Sequence, residues 1–167
     1  MFALNAGADH GPSSIAPSAS IRWAPAPAQE VVVSLRRESC WFGKCPVYSV
    51  EARSDGWIEF QGHAHVAATG RHTAKVDPSL VARLAQEARD LGFLDLTQEE
   101  ADDCPEYWTD NETVFLTVRI GDHENTIKHY HGCRGGDAGA MLESFEDRVD
   151  EVLFTARWVK GTTRRAR

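Results

Sequence analysis

Strand-forming runs in this chain come in hairpin-connected groups, and each group is followed by one helix. Val31, Val33 and Leu35 alternate with Val32, Ser34 and Arg36, the period-two pattern of a strand with one buried face. Pro46 to Arg53 repeats it, with Tyr48, Val50 and Ala52 on one side. Asp55-Gly56 readily takes the positive φ angles of a tight hairpin turn, so Trp57 to Gln61 returns beside it, Ile58 and Phe60 inward. A weaker extended run spans 65–76. Glu112 to Ile120 and Glu124 to His131 flank the turn at Gly121-Asp122-His123 as a second hairpin. Such grouping differs from the strict strand–helix alternation of a parallel sheet. It predicts an α+β domain with an antiparallel sheet of five or six strands and two helices on one face, in the order β-β-β-(β)-α-β-β-α.

Both helices are marked locally. Asp77-Pro78-Ser79 supplies a capping carboxylate and a proline at the first helical position, and Leu80, Leu84, Ala88 and Leu91 recur at helical spacing up to the stop at Gly92. Residues 97–111 read as an acidic loop. Asp137 is expected to cap the second helix, which runs to about Trp158. Its inward stripe is Leu142, Phe145, Val149, Val152 and Ala156, and Glu143, Glu146, Asp147, Asp150 and Glu151 form a solvated acidic side.

Before Glu30 the character changes. Residues 1–29 hold four of the seven prolines and only two charges, Asp9 and Arg22, too little apolar surface to offset the entropy of ordering. The expected organisation is a disordered leader at 1–29, one domain at 30–158 and a basic tail at 159–167. A net charge of −7 argues against a nucleic-acid partner. No apolar run reaches the ~18 residues of a membrane span. As written there is no export signal, so a cytoplasmic location is the default; an upstream start would point to the cell envelope.

Three residue sets could carry chemistry. Cys40 and Cys45 flank a four-residue loop, while Cys104 and Cys133 fall at the open end of the second hairpin. Disulfides Cys40–Cys45 and Cys104–Cys133 are plausible on this topology and would add about 2 and about 3.5 kcal/mol in the chain-entropy model. Free thiols and a zinc site are the alternatives. His63-x-His65 and His129-x-His131 each place two imidazoles on one strand face, and four could hold a metal if the strands were neighbours. Solvated or packing histidines are the plainer expectation, and no cofactor is called for. Trp41, Phe42, Trp57, Tyr107 and Trp108 lie in or beside loops, where exposed aromatics mark a contact surface.

The pattern Cys40-x-x-Gly43-x-Cys45-Pro46-Val47-Tyr48-Ser49-Val50, then Asp55-Gly56-x-x-x-Phe60-x-Gly62 and Val66-x-x-x-Gly70, resembles a bacterial domain family of unknown function. Thr109-Asp110, His129-Tyr130-x-Gly132 and the closing helix extend the likeness over about 31–158. The resemblance implies an envelope protein in many cases, and no catalytic residues. Together these readings favour a small non-enzymatic binding domain for a protein or small ligand, with Trp41-Phe42 as contact surface. A thiol-redox or metal-binding protein using Cys40, Cys45, Cys104, Cys133 or the His-x-His pairs is the alternative.

Overall fold

A computed structural model describes residues 30–41 and 43–161. The leader, Phe42 and residues 162–167 of the basic tail lie outside the described residues. The elements in chain order are β1 (Val31–Arg37), β2 (Val47–Arg53), β3 (Trp57–Ala64), β4 (Gly70–Lys75), α1 (Pro78–Asp90), a 3-10 turn (Phe93–Asp95), α2 (Gln98–Ala101), β5 (Glu106–Tyr107), β6 (Thr113–Ile120), β7 (His123–Tyr130), β8 (Cys133–Arg134), α3 (Asp137–Val152) and α4 (Ala156–Val159).

Six strands form one antiparallel sheet in the order β4-β3-β2-β1-β6-β7. β1 pairs with β2 on one side (Leu35 opposite Val50) and with β6 on the other (Leu35 opposite Leu116). The α+β class, the antiparallel sheet and the element order therefore follow the hairpin reading. Val31, Val33, Leu35, Tyr48, Val50, Ala52, Ile58, Phe60, Val114, Leu116, Val118 and Ile127 turn to the covered face, where Val81, Leu84, Ala85 and Ala88 of α1 and Leu142, Phe145 and Val149 of α3 meet them. The opposite face stays open and polar. It carries Ser34, Arg36, Ser49, Glu51, Glu59, Gln61 and Thr117, with Arg36 lying 3.9 Å over the ring of Phe115. Each large apolar side chain on the covered face contributes roughly 1.5–3 kcal/mol through burial, which makes slipping the register by one residue prohibitive.

Local chemistry explains the helix ends, with three departures from expectation. Asp77 caps α1 by accepting from the Ser79 backbone N–H at 2.8 Å, with Pro78 at the first position. The acidic stretch is not all loop: Thr97 and Glu100 form a reciprocal capping box that starts the single turn of α2, and β5 pairs with β8 in a separate two-stranded ribbon. Asp137 does not cap α3. Gly136 occupies the capping position without a side-chain bond, and Asp137 is the first helical residue. Nor is the closing helix continuous to Trp158. Phe154 takes a positive φ of 55° after α3, and one further turn, α4, brings Trp158 onto Phe60 with ring centroids 4.8 Å apart.

Candidate functional site

Register places several sequence features at one end of the sheet. β1 ends there at Arg37, β2 begins at Val47, β6 begins at Thr113 and β7 ends at Tyr130. The Cys40–Cys45 loop, the Tyr107-Trp108 segment and the Gly132-Cys133 elbow all leave from these strand ends. Sulfurs of Cys40 and Cys45 lie at disulfide distance, as do those of Cys104 and Cys133, with Cα separations of 5.7 and 5.0 Å in the usual disulfide range. A side chain at Gly43 would collide with the Cys40 sulfur, so this loop closes only around glycine.

Exposed aromatics rim this end. Trp41 is 81% exposed, Tyr107 69% and Trp108 63%. Trp57 does not join them: it is half-buried at the start of β3, at the opposite end of the sheet, because the Asp55-Gly56 turn precedes it. Trp108 is held from behind. Its backbone N–H donates to the Gly132 carbonyl at 2.7 Å and its carbonyl accepts from the Tyr130 hydroxyl at 2.8 Å. Any Cβ at Gly132 would strike both the Trp108 carbonyl and the Tyr130 ring. An open cleft of about 340 Å³ beside Trp108 is lined by Glu106, Asn111 and Arg134.

Beneath the rim, on the covered face, lies a buried polar cluster. His129 and His131 alternate with Tyr130 at the end of β7, so both imidazoles turn toward α3. Glu146 of α3 is fully buried and meets both: His129 Nδ1 lies 2.8 Å from Oε1 and His131 Nε2 lies 2.7 Å from Oε2. Taking one ligand atom from each of the three residues, all lie within 4.8 Å of one another and could hold a metal ion. His131 Nδ1 also stands 3.5 Å from Glu112 Oε1. Farther along α3, Asp150 accepts from Arg37 Nη2 at 2.9 Å and from the Tyr48 hydroxyl at 2.7 Å, while Arg37 Nη1 reaches Glu112 at 3.0 Å. α3 thus crosses this end from β7 to β2, linked at each step by a charged or hydrogen-bonded contact.

Electrostatics follow from that packing. Burial pushes the Glu146 carboxyl up, but hydrogen bonds from His129 and His131 outweigh it and hold the group below its ordinary value. Burial pulls His131 down, yet the hydrogen bond and charge of Glu146 leave it raised. Burial would also lower Arg37, and Asp150 above all reverses this, so the guanidinium stays charged. Tyr48 is pushed up by burial and by Asp150 and stays protonated. Such a cluster can bind a cation, exchange a proton, or simply lock α3 to the sheet.

Sequence reasoning did not assemble this set. The His-x-His pairs do not converge, because β3 and β7 are separated by β2, β1 and β6; His63 and His65 are both exposed at the other side of the sheet. Glu146 and Asp150 were expected on the solvated side of the second helix. Instead Glu146 is fully buried and Asp150 is turned to Arg37 and Tyr48. The signal was present. Glu146 falls four residues after Leu142 and three before Val149 on the inward stripe, and Arg37 continues the inward series Val31, Val33, Leu35.

A half-covered antiparallel sheet, with two cysteine pairs at disulfide distance and an aromatic rim at one end, defines an α+β domain. The chain belongs to the DUF6438 family, a domain of unknown function, whose family model matches residues 31–153. No curated protein matches the chain. Among the described residues, no helix is long and apolar enough to cross a membrane.

Proposed function

We propose that this is a binding module whose contact surface is the crosslinked end of the sheet. The observation that carries the reading is the exposure of Trp41, Tyr107 and Trp108 on segments anchored by a cysteine pair, by the β5–β8 pairing and by the Trp108–Gly132 backbone bond. Large apolar surface left in water is costly to keep unless something covers it, and tryptophan and tyrosine are the side chains that most often anchor recognition. The cleft beside Trp108 offers an apolar wall with Asn111 and Arg134 at its edge. It suits a ligand or protein segment with an exposed apolar group and a hydrogen-bonding or anionic neighbour. Phe42, the companion of Trp41 in the sequence reading, lies outside the described residues.

Natively purified full chain, used as bait, should capture a partner that Trp41→Ala and Trp108→Ala each release without changing the thermal melt. An unchanged set of captured proteins and small molecules in both variants would reject this surface. The cysteine pairs hold the loops, so free-thiol counting should find no thiol before reduction, and reduction should weaken capture while the sheet persists.

A further inference from the structure

We propose that His129, His131 and Glu146 form a binding site for a first-row divalent cation, with zinc as the probe. The donors are of the right chemistry: two imidazole nitrogens from one strand face and one carboxylate from the helix above it. Donor atoms in a tetrahedral zinc shell stand ~3.4 Å apart. Here the two imidazoles stand 2.8 and 2.7 Å from the two Glu146 oxygens, and one ligand atom from each residue falls within 4.8 Å of the others, so modest side-chain shifts open the space.

Charge points the same way. One guanidinium, Arg37, faces four carboxylates within a single contact network: Glu112, Glu146, Asp150 and the exposed Asp147. Carboxylates therefore outnumber the guanidinium beside two imidazoles, a balance that favours a bound cation. The protons now shared with Glu146 have a destination. When the cation takes His131 Nε2, the ring carries its proton on Nδ1, which already stands 3.5 Å from Glu112 Oε1. A carboxylate behind a metal-bound histidine is the usual orienting arrangement. When it takes His129 Nδ1, the proton moves to Nε2, on the side of Gly139 and the adjoining cleft. That cleft, about 300 Å³ and lined by His129, His131, Asp137 and Glu143, gives an approach path and room for water as a fourth ligand.

The test is calorimetric titration of chelator-treated full chain with zinc, and with cobalt as a spectroscopic substitute. One ion per chain is expected. The cobalt complex should show visible d–d bands without thiolate charge transfer, which separates this site from the four cysteines. His131→Ala should weaken zinc by more than about tenfold, as should Glu146→Gln, while His63→Ala/His65→Ala should leave affinity unchanged. Absence of stoichiometric uptake, a thiolate signature, or undiminished affinity in His131→Ala would overturn the proposal. If Glu146→Gln fails to fold by circular dichroism, the partly exposed His131 position decides alone. None of these variants touches the aromatic rim, so this test and the capture experiment fail separately.

Discussion

Arg36 and Arg37 are neighbours in the chain, both at the end of β1, and strand geometry sends them to opposite faces of the sheet. Arg36 lies on the open face with its side chain 48% exposed, paired with an equally exposed Glu38 and stacked over Phe115. Arg37 lies on the covered face at 9% exposure, bonded to Glu112, Asp150 and Tyr48. Identical chemistry thus meets two dielectrics. In water an ion pair gains little, because solvent already satisfies both charges. Under α3 the same guanidinium contacts Glu112, Glu146, Asp147 and Asp150, and its removal would strip the partly buried Glu112 and Asp150 of their paired positive charge.

The largest expected effect is therefore at Arg37. Arg37→Met should cost about 3–5 kcal/mol, read as a drop in the urea midpoint at unchanged slope. Arg37→Lys should recover only part, since one ammonium cannot bond Asp150 and Glu112 in a fork. A loss below ~1 kcal/mol for Arg37→Met would break the comparison, because it would place the two arginines in equivalent surroundings.

Tyr48→Phe sharpens the point by removing a partner without removing a charge. Asp150 would keep Arg37 and the Thr155 hydroxyl at 2.7 Å but lose the Tyr48 donor. A destabilisation of about 1–2 kcal/mol is expected, intermediate between the two arginines. A silent substitution would mean that Arg37 and Thr155 alone satisfy Asp150. Arg36→Ala should stay within about 0.5 kcal/mol and should change little with added salt. A larger loss would assign real stability to the stack on Phe115.

These contrasts also explain what could be read from the chain beforehand. The sheet and both long helices were legible because their inward positions are nearly all apolar: Val31, Val33 and Leu35 on β1, Leu142, Phe145 and Val149 on α3. The site was not legible for the converse reason. Arg37, His129 and Glu146 occupy inward positions but carry side chains that composition assigns to the surface. Only the partner's position, 17 residues away for His129 and Glu146 and 113 for Arg37 and Asp150, makes burial affordable. The spacing of His129-x-His131 pointed to one face correctly and to the wrong companions, since strand order across a sheet is not written in any local pattern. Short elements were hidden in the acidic run because a single capping box, Thr97 with Glu100, decides α2 and a distant partner, β8, decides β5.

Exposure does not make every charge idle, and Asp77 marks that boundary. Its carboxylate lies in water, yet the Ser79 backbone N–H, joined by the Ser79 side chain, holds it below its ordinary value of 3.8. A folded-state value below the unfolded one means the contribution is present above pH 3.8 and fades as pH falls through the lowered value. Asp77→Asn keeps an oxygen that can accept from Ser79 but cannot titrate. Wild type should lose stability on acidification faster than this variant, and the two curves should draw together as α1 loses its charged cap. The difference should be the smallest in the series, because one exposed hydrogen bond competes with solvent where Arg37 does not. Parallel acid limbs in urea titrations of the two proteins would remove Asp77 as a source of pH dependence. Buried pairing would then stand as the sole distinction between charges that hold this fold and charges that do not.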